Sequence, residues 1–82
     1  MLKPGQKYVV DGIIIEVVEV LRYRKYRGGY GYQIGLRIRD RIKGRDFVSS
    51  VFHVWVEENE DPWKKIEQEL ALYKQLKGII IR

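Results

Sequence analysis

The 82-residue chain contains no cysteine and no threonine, and it has one histidine, one methionine and one asparagine. Without cysteine there is neither a disulfide framework nor a thiolate metal site, and the lone His53 lacks the further ligands that zinc needs. We therefore expect no metal and no cofactor. No apolar run approaches the length that crosses a bilayer, and the first residues lack the apolar core of a secretion signal. We expect an intracellular, cytoplasmic protein without a membrane partner.

Patterns typical of catalytic sites are also missing. No Gly-rich loop leads from a strand into a helix, and the Ser49-Ser50 pair lies within a strand rather than on an exposed turn. Four acids between Glu57 and Asp61 are placed where a helix begins, and the helix dipole favours negative charge there. A carboxylate-based nuclease is the alternative reading of these acids. We predict that the protein is not an enzyme.

What the sequence has in excess is positive charge, concentrated in one central stretch. Between Arg22 and Arg45 nine basic residues and one acid give a charge of +8, whereas seven basic and ten acidic residues elsewhere give −3. A fold needs solvated charge but does not need it segregated, so this stretch indicates an anionic partner. Nucleic acid is the commonest such partner. A third of all residues are charged, a composition typical of heat-adapted proteins, so we expect a thermostable protein.

The length allows one domain, residues 1–82, and its first half is organised by hairpin signals. A short strand ends at Asp11-Gly12, the residue pair typical of a type I′ turn. The second strand begins at Ile13 and continues to about Tyr26. Glu16 and Glu19 differ in parity, and a regular strand would bury one of them. We therefore predict a β-bulge near Val17-Val18.

The next strands show the alternation of a sheet with one buried face. Gly28-Gly29 predicts a two-residue turn, and a third strand follows with arginines on its outer side. A charged loop at Asp40–Arg45 leads to a fourth strand at about Asp46–Glu58. The predicted core consists of Tyr30, Tyr32, Ile34, Leu36, Ile38, Val48, Phe52, Val54, Ile66 and Leu70.

The last third of the chain predicts a helix and a closing strand. Asp61-Pro62 is a capping pair, and the helix should run over about 61–77 and end at Gly78. Ile79–Ile81 is then an edge strand. The predicted order is β-β-β-β-α-β. This is a mainly β (α+β) fold, either a strongly bent antiparallel sheet or an SH3-like small barrel.

The opening residues, LKPGQKYVVDGIIIEVVEV, resemble the first hairpin of the barrel in the amino-terminal domain of elongation factor P and initiation factor 5A. The likeness covers about a quarter of the chain and lacks the modified-lysine loop. A barrel that ends in a helix is also similar to SH3-like archaeal chromatin proteins, whose exposed sheet binds duplex DNA. These resemblances imply a small-barrel nucleic-acid-binding protein of archaeal or archaeal-virus type, without translation-factor activity.

The predicted turns set two registers, and both registers place one group of side chains on the outer face. Arg24 would lie opposite Gln33, and Gln33 opposite His53, with Gly31 and Gly35 as a low floor that a backbone or base can approach. Arginine binds phosphate and aromatic rings stack on bases. The candidate nucleic-acid-binding residues are Arg22, Arg24, Tyr26, Arg27, Gln33, Arg37, Arg39, Arg41, Lys43, His53 and Trp55.

Two other interpretations remain open for these residues. Arginines that alternate on a sheet are often only a solvated face, and Trp55 over Gly31 is also how an aromatic ring covers a strand glycine. The second interpretation is a small adaptor or assembly subunit that binds an acidic or strand-donating protein, with a homodimer through the edge strand at Ile79–Ile81. The pattern does not separate DNA from RNA, or single from double strands.

Overall fold

The computed structural model describes residues 2–80, and the side chains of residues 2–79. The chain forms a five-stranded antiparallel sheet followed by one helix. Strands β1-β2-β3-β4 are neighbours in this order, and β5 also pairs with β3. β4 and β5 therefore lie one after the other along the same side of β3, and the sheet is open. The elements are β1 (Lys7–Val10), β2 (Ile13–Arg24), β3 (Tyr30–Ile42), β4 (Arg45–Val48), β5 (Phe52–Glu57) and α1 (Pro62–Ile80).

The first hairpin and the bulge have the predicted form. Asp11 and Gly12 adopt φ angles of 51° and 77°, and two positive values are what a type I′ turn requires. Further along β2, Val17 pairs with Leu36 whereas Glu19 pairs with Gly35, which leaves Val18 as the extra residue. The bulge lets the glutamates on either side of it share one face of the sheet. We call the face opposite α1 the outer face.

The core lies between the inner face of the sheet and α1. Most of the predicted core residues belong to it, including Ile34, Leu36, Ile38, Val54, Ile66 and Leu70, and it is completed by Leu2, Ile13, Ile15, Val17 and Val56. Tyr32 and Phe52 are partly buried against this core. Tyr30 and Val48 are 36% and 48% exposed, so their assignment to the core was wrong.

The predicted fourth strand is two strands, interrupted at residues 49–51. The Ser49 hydroxyl accepts a hydrogen bond from Ile38 N (2.9 Å), and Ser49 N donates to Ile38 O (2.9 Å). These two hydrogen bonds replace the regular pairing of the strands at Ser49. Odd-numbered residues therefore face the inner side in β4 and the outer side in β5. Val48 consequently lies on the outer face, whereas Phe47 lies on the side of α1 and stacks on Tyr73 with ring centroids 6.3 Å apart.

The helix begins where the sequence predicted and ends later. Asp61 Oδ1 accepts a hydrogen bond from Trp63 N at 3.0 Å, so Asp61 caps the first turn. The helix then continues through Gly78 to Ile80, and the predicted stop at Gly78 was wrong. The predicted strand at Ile79–Ile81 was also wrong over its first two residues, and Ile81 lies outside the described residues.

A buried carboxylate anchors the helix to the sheet. Asp40 accepts hydrogen bonds from the Tyr73 hydroxyl (2.7 Å) and from Lys77 Nζ (2.8 Å), and this fixes the last turns of α1 to β3. A glycine inside a helix costs only about 1 kcal/mol relative to alanine, which such contacts can offset. No helix in the described residues is both long and apolar enough to cross a bilayer.

Candidate nucleic-acid interface

The connection between β2 and β3 is longer than the predicted two-residue turn. Arg24 pairs with Tyr30 instead of Gln33, and residues 25–29 form a loop in which Lys25 N donates to Gly29 O at 3.0 Å. Both loop glycines adopt positive φ angles, but as the last two residues of a five-residue loop. The register differs from the predicted one by three residues, an odd number. Every side chain in this part of β2 therefore faces the opposite way.

We call the end of this hairpin, Leu21–Tyr30, the arm, and all of its residues are exposed. Arg22 and Arg24 lie on its inner side and not on the outer face, contrary to the prediction. The Arg22 guanidinium carbon lies 3.8 Å from the centroid of the Tyr30 ring, and Arg22 Nη2 lies 3.6 Å from Glu58 Oε1. A cation over an aromatic ring is attracted by the negative face of the ring, so Arg22 has a preferred position in the arm.

The same shift brings Tyr23, which was not among the candidates, onto the outer face beside Trp55. Their ring centroids are 6.4 Å apart, with an interplanar angle of 33°. The sequence did contain a signal for this placement: once the bulge puts Glu19 on the outer face, the alternation that continues along β2 puts Tyr23 there too. The predicted turn at the glycine pair contradicted that signal.

Trp55 is held in a defined position on the outer face. A Cβ atom at Gly31 would overlap the indole ring, so the ring lies directly against the strand backbone. Trp55 Nε1 donates a hydrogen bond to Glu57 Oε1 (3.1 Å), while Glu57 Oε2 pairs with Lys25 Nζ at 2.7 Å. The Lys25 hydrogen bond lowers the pKa of Glu57. Trp55 is 39% exposed and offers its solvent side to a stacking partner.

The glycine floor that the sequence predicted is not open. Gly31 is covered by Trp55, and a Cβ at Gly35 would come within 2.8 Å of Glu19 Cγ and 3.3 Å of His53 Nε2. The register between β3 and β5 also differs from the prediction, because Gln33 lies opposite Trp55 and Gly35 lies opposite His53. A base or a phosphate cannot reach the strand backbone at these two glycines.

Glutamates neutralise the middle of the outer face. Arg37 Nη2 lies 2.6 Å from Glu16 Oε1, and the Arg37 hydrogen bond lowers the pKa of Glu16 although partial burial opposes this. His53 Nε2 lies 2.6 Å from Glu19 Oε1. At the centre of the predicted arginine-rich face, the Arg37 guanidinium and the His53 imidazole therefore already contact carboxylates.

Cations without an ion pair flank the centre of the outer face at both ends of β3. In the arm, Arg24 and Arg27 make no ion pair within the described residues, and the same holds for Arg39, Lys43 and Arg45 at the other end. We call that other end, Arg39–Val48, the far hairpin. Its turn is the two-residue pair at 43–44, in which both φ angles are positive. The predicted charged loop at 40–45 is therefore shorter, and β3 is longer.

The structure does not bring the eleven candidate residues together on one surface. Tyr26 is fully exposed at the tip of the arm. The candidates fall into an arm group (Arg22, Arg24, Tyr26 and Arg27), a central outer-face group (Gln33, Arg37, His53 and Trp55) and a far-hairpin group (Arg39, Arg41 and Lys43).

Protein-family models, curated proteins and solved structures were compared with the chain, and none matches it. Within residues 2–80, no group of three or more histidine or carboxylate side chains is placed to hold a metal ion. The arrangement offers exposed guanidinium and ammonium groups for anions and exposed aromatic rings for stacking. These are the two kinds of contact that nucleic-acid-binding surfaces combine.

Proposed function

We propose that the protein binds nucleic acid through the arm and has no catalytic activity. The observation that carries this proposal is the composition of the arm. Ten exposed residues include four basic side chains and the fully exposed Tyr26, and they lie beside the Tyr23–Trp55 pair. Cations supply affinity for phosphates, and aromatic rings accept stacked bases.

The basic side chains of the arm can contact a phosphate at little energetic cost. Arg24 and Arg27 would not have to break an ion pair with any described residue to contact a phosphate. Arg22 and Lys25 are paired with Glu58 and Glu57, but these side chains are 38–54% exposed. Exposed pairs contribute only about 0–1 kcal/mol, so exchanging a carboxylate for a phosphate costs little.

The centre of the outer face has a supporting role in this proposal. Arg37 and His53 already have carboxylate partners, and a phosphate placed there would meet Glu16 and Glu19. Trp55 remains suitable for stacking because its solvent side is open. The binding surface is therefore the arm together with the aromatic pair at its base.

A protein-binding adaptor is the second candidate function. Its support is a stripe of exposed apolar side chains on α1, Leu72, Leu76 and Ile79, which are 50%, 48% and 69% exposed. An exposed apolar stripe is typical of an interaction surface. The salt dependence of the binding affinity distinguishes the two candidate functions, because contacts to phosphate weaken as salt rises whereas apolar contacts do not.

The decisive experiment is a titration against duplex DNA, single-stranded DNA and structured RNA over a range of salt concentrations. The Arg24→Gln/Arg27→Gln variant should lower the slope of log K against log salt by about 1.8 on duplex DNA, or about 1.4 on a single strand, if each arginine contacts one phosphate. The matched control is Lys64→Gln/Lys65→Gln on α1, which removes the same charge away from the arm. An arm variant that binds every ligand with the parent's affinity and salt slope would show that the arm is not the site.

A further inference from the structure

We infer that the far hairpin is a second phosphate-binding site, and that the two ends of β3 together recognise the backbone of a duplex along one helical turn. This inference rests on the proposed function and adds the class of nucleic acid. The far hairpin shares with the arm the feature that matters, which is a set of exposed cations where two strands of a hairpin are connected. It differs in having no exposed aromatic ring beside its turn except Phe47, which is engaged with Tyr73.

The far hairpin keeps its positive charge because its acids are otherwise engaged. Asp40 points inward to Tyr73 and Lys77, with 4% of its side chain exposed, and so cannot neutralise the surface. Asp46 is its only other acid, and it lies 3.4 Å from Arg41 in a pair that is largely exposed. The cations exposed here are Arg39, Arg41, Lys43 and Arg45.

The distance between the two clusters follows from the length of β3. Twelve residue steps separate Tyr30 at the arm from Ile42 at the far hairpin, and at about 3.3 Å per step this is about 40 Å. The longest dimension of the described structure is 47 Å, and the other two are 24 and 18 Å. The protein is therefore a short rod with a basic cluster at each end.

The charge pattern along this rod distinguishes a duplex from a single strand. A single strand laid from end to end would place phosphates over the centre, where Glu16 and Glu19 occupy the outer face. In a duplex, one strand returns to the same side after about 34–36 Å, and a groove lies between the two passages. Flexible arginine and lysine side chains cover the remaining difference of a few ångström. Two basic ends with a neutral centre fit this spacing.

The test is a series of blunt duplexes of 6, 8, 10, 12, 16 and 20 base pairs, in DNA and in RNA, at fixed salt. Once a duplex is long enough to reach both ends, binding of the second end becomes intramolecular. We expect affinity to rise by more than about tenfold between 8 and 12 base pairs and then to level off. Single strands of the same lengths should show no such step. A step with either duplex supports the inference and identifies the duplex that is bound.

A far-hairpin variant gives an independent readout. Lys43→Asn/Arg45→Gln keeps a residue that tolerates the φ of 51° at position 43. On 16 base pairs it should lower the salt slope by about 1.8 and abolish the length step, while leaving binding to 6 base pairs unchanged. Lys64→Gln/Lys65→Gln is again the control.

The outcomes separate the two proposals. If affinity rises smoothly with length, or if single strands bind as tightly as duplexes, the duplex inference is wrong although the arm still binds nucleic acid. An unchanged salt slope in the far-hairpin variant also overturns it. If the parent binds none of these ligands at low salt, the proposed function fails and the inference fails with it. The length series uses the parent protein, so it decides the question even if the variant does not fold.

Discussion

Gly31 is the residue against which the Trp55 ring rests, and its missing side chain decides the position of that ring. Any Cβ atom at this position would overlap the indole. Because Trp55 is also hydrogen-bonded to Glu57, it cannot move away without losing that contact. One glycine thus links the backbone of β3 to the aromatic surface at the base of the arm.

We predict that Gly31→Ala destabilises the protein through this overlap. Overpacking of this kind typically costs about 1–3 kcal/mol. In a Trp55→Ala background the same change should cost little, because the overlapping ring is gone. Urea unfolding of the parent, both single variants and the double variant gives the coupling free energy. Equal costs in the two backgrounds would show that the ring does not rest on Gly31.

Single residues and their neighbours in the sequence correctly predicted those parts of the fold that depend only on local interactions. The parity of Glu16 and Glu19 predicted the bulge, and Asp11-Gly12 predicted its turn. The loop after β2 could not be predicted in this way, since two glycines at positive φ suit a two-residue turn and the end of a five-residue loop equally well. That one ambiguity placed Arg22 and Arg24 on the wrong face in the prediction and left Tyr23 out of the candidates.

At the scale of elements, α1 shows which features the local sequence can predict and which it cannot. Its first turn was predictable because the cap lies next to it in the sequence. Its attachment to the sheet could not be predicted locally, because it depends on Asp40, which lies 33 residues before Tyr73 and belongs to another element. Glycine is common just past a helix end, but inside a helix it costs only about 1 kcal/mol relative to alanine, so Gly78 alone does not decide where α1 stops. The prediction that the candidate residues share one face was wrong because a common face depends on pairing between distant strands.

The contact between α1 and β3 predicts a pH dependence. Burial alone would raise the pKa of Asp40, but hydrogen bonds from Lys77, Tyr73 and Arg41 N outweigh it, and the pKa is lowered. An aspartate in the unfolded chain has a pKa of about 3.9. A carboxyl group with a lower pKa in the folded state stabilises the protein above about pH 4, and this stabilisation is lost as the pH falls through the folded value.

We therefore predict that the free energy of unfolding falls below about pH 4, and that it falls less steeply in Asp40→Asn. Asp11, Glu16 and Glu57 also have lowered pKa values and contribute to the acid loss in both proteins, so the difference between the two curves isolates Asp40. Urea unfolding between pH 2 and pH 7 measures both curves. Parallel curves would show that Asp40 does not couple α1 to the sheet through its charge.

At the scale of the whole molecule, the basic clusters and the apolar stripe of α1 lie on different elements. The basic clusters lie at the two ends of β3, whereas the exposed apolar stripe lies on α1, which packs on the inner face of the sheet. Leu72, Leu76 and Ile79 recur at helical spacing, on the side of the helix that turns away from Ile66 and Leu70. A nucleic acid held by the two ends of β3 would not need to contact this stripe.

This separation leads to a prediction about the two candidate functions. Leu72→Gln/Leu76→Gln should leave nucleic-acid affinity within about twofold of the parent and the salt slope unchanged, because neither side chain contributes to phosphate contacts. Glutamine is a good helix former, and both leucines are about half exposed, so α1 should remain folded. The titrations described for the arm variant measure both quantities, and circular dichroism checks the helix. If this variant loses affinity while Arg24→Gln/Arg27→Gln does not, the stripe on α1 and not the arm is the nucleic-acid-binding surface.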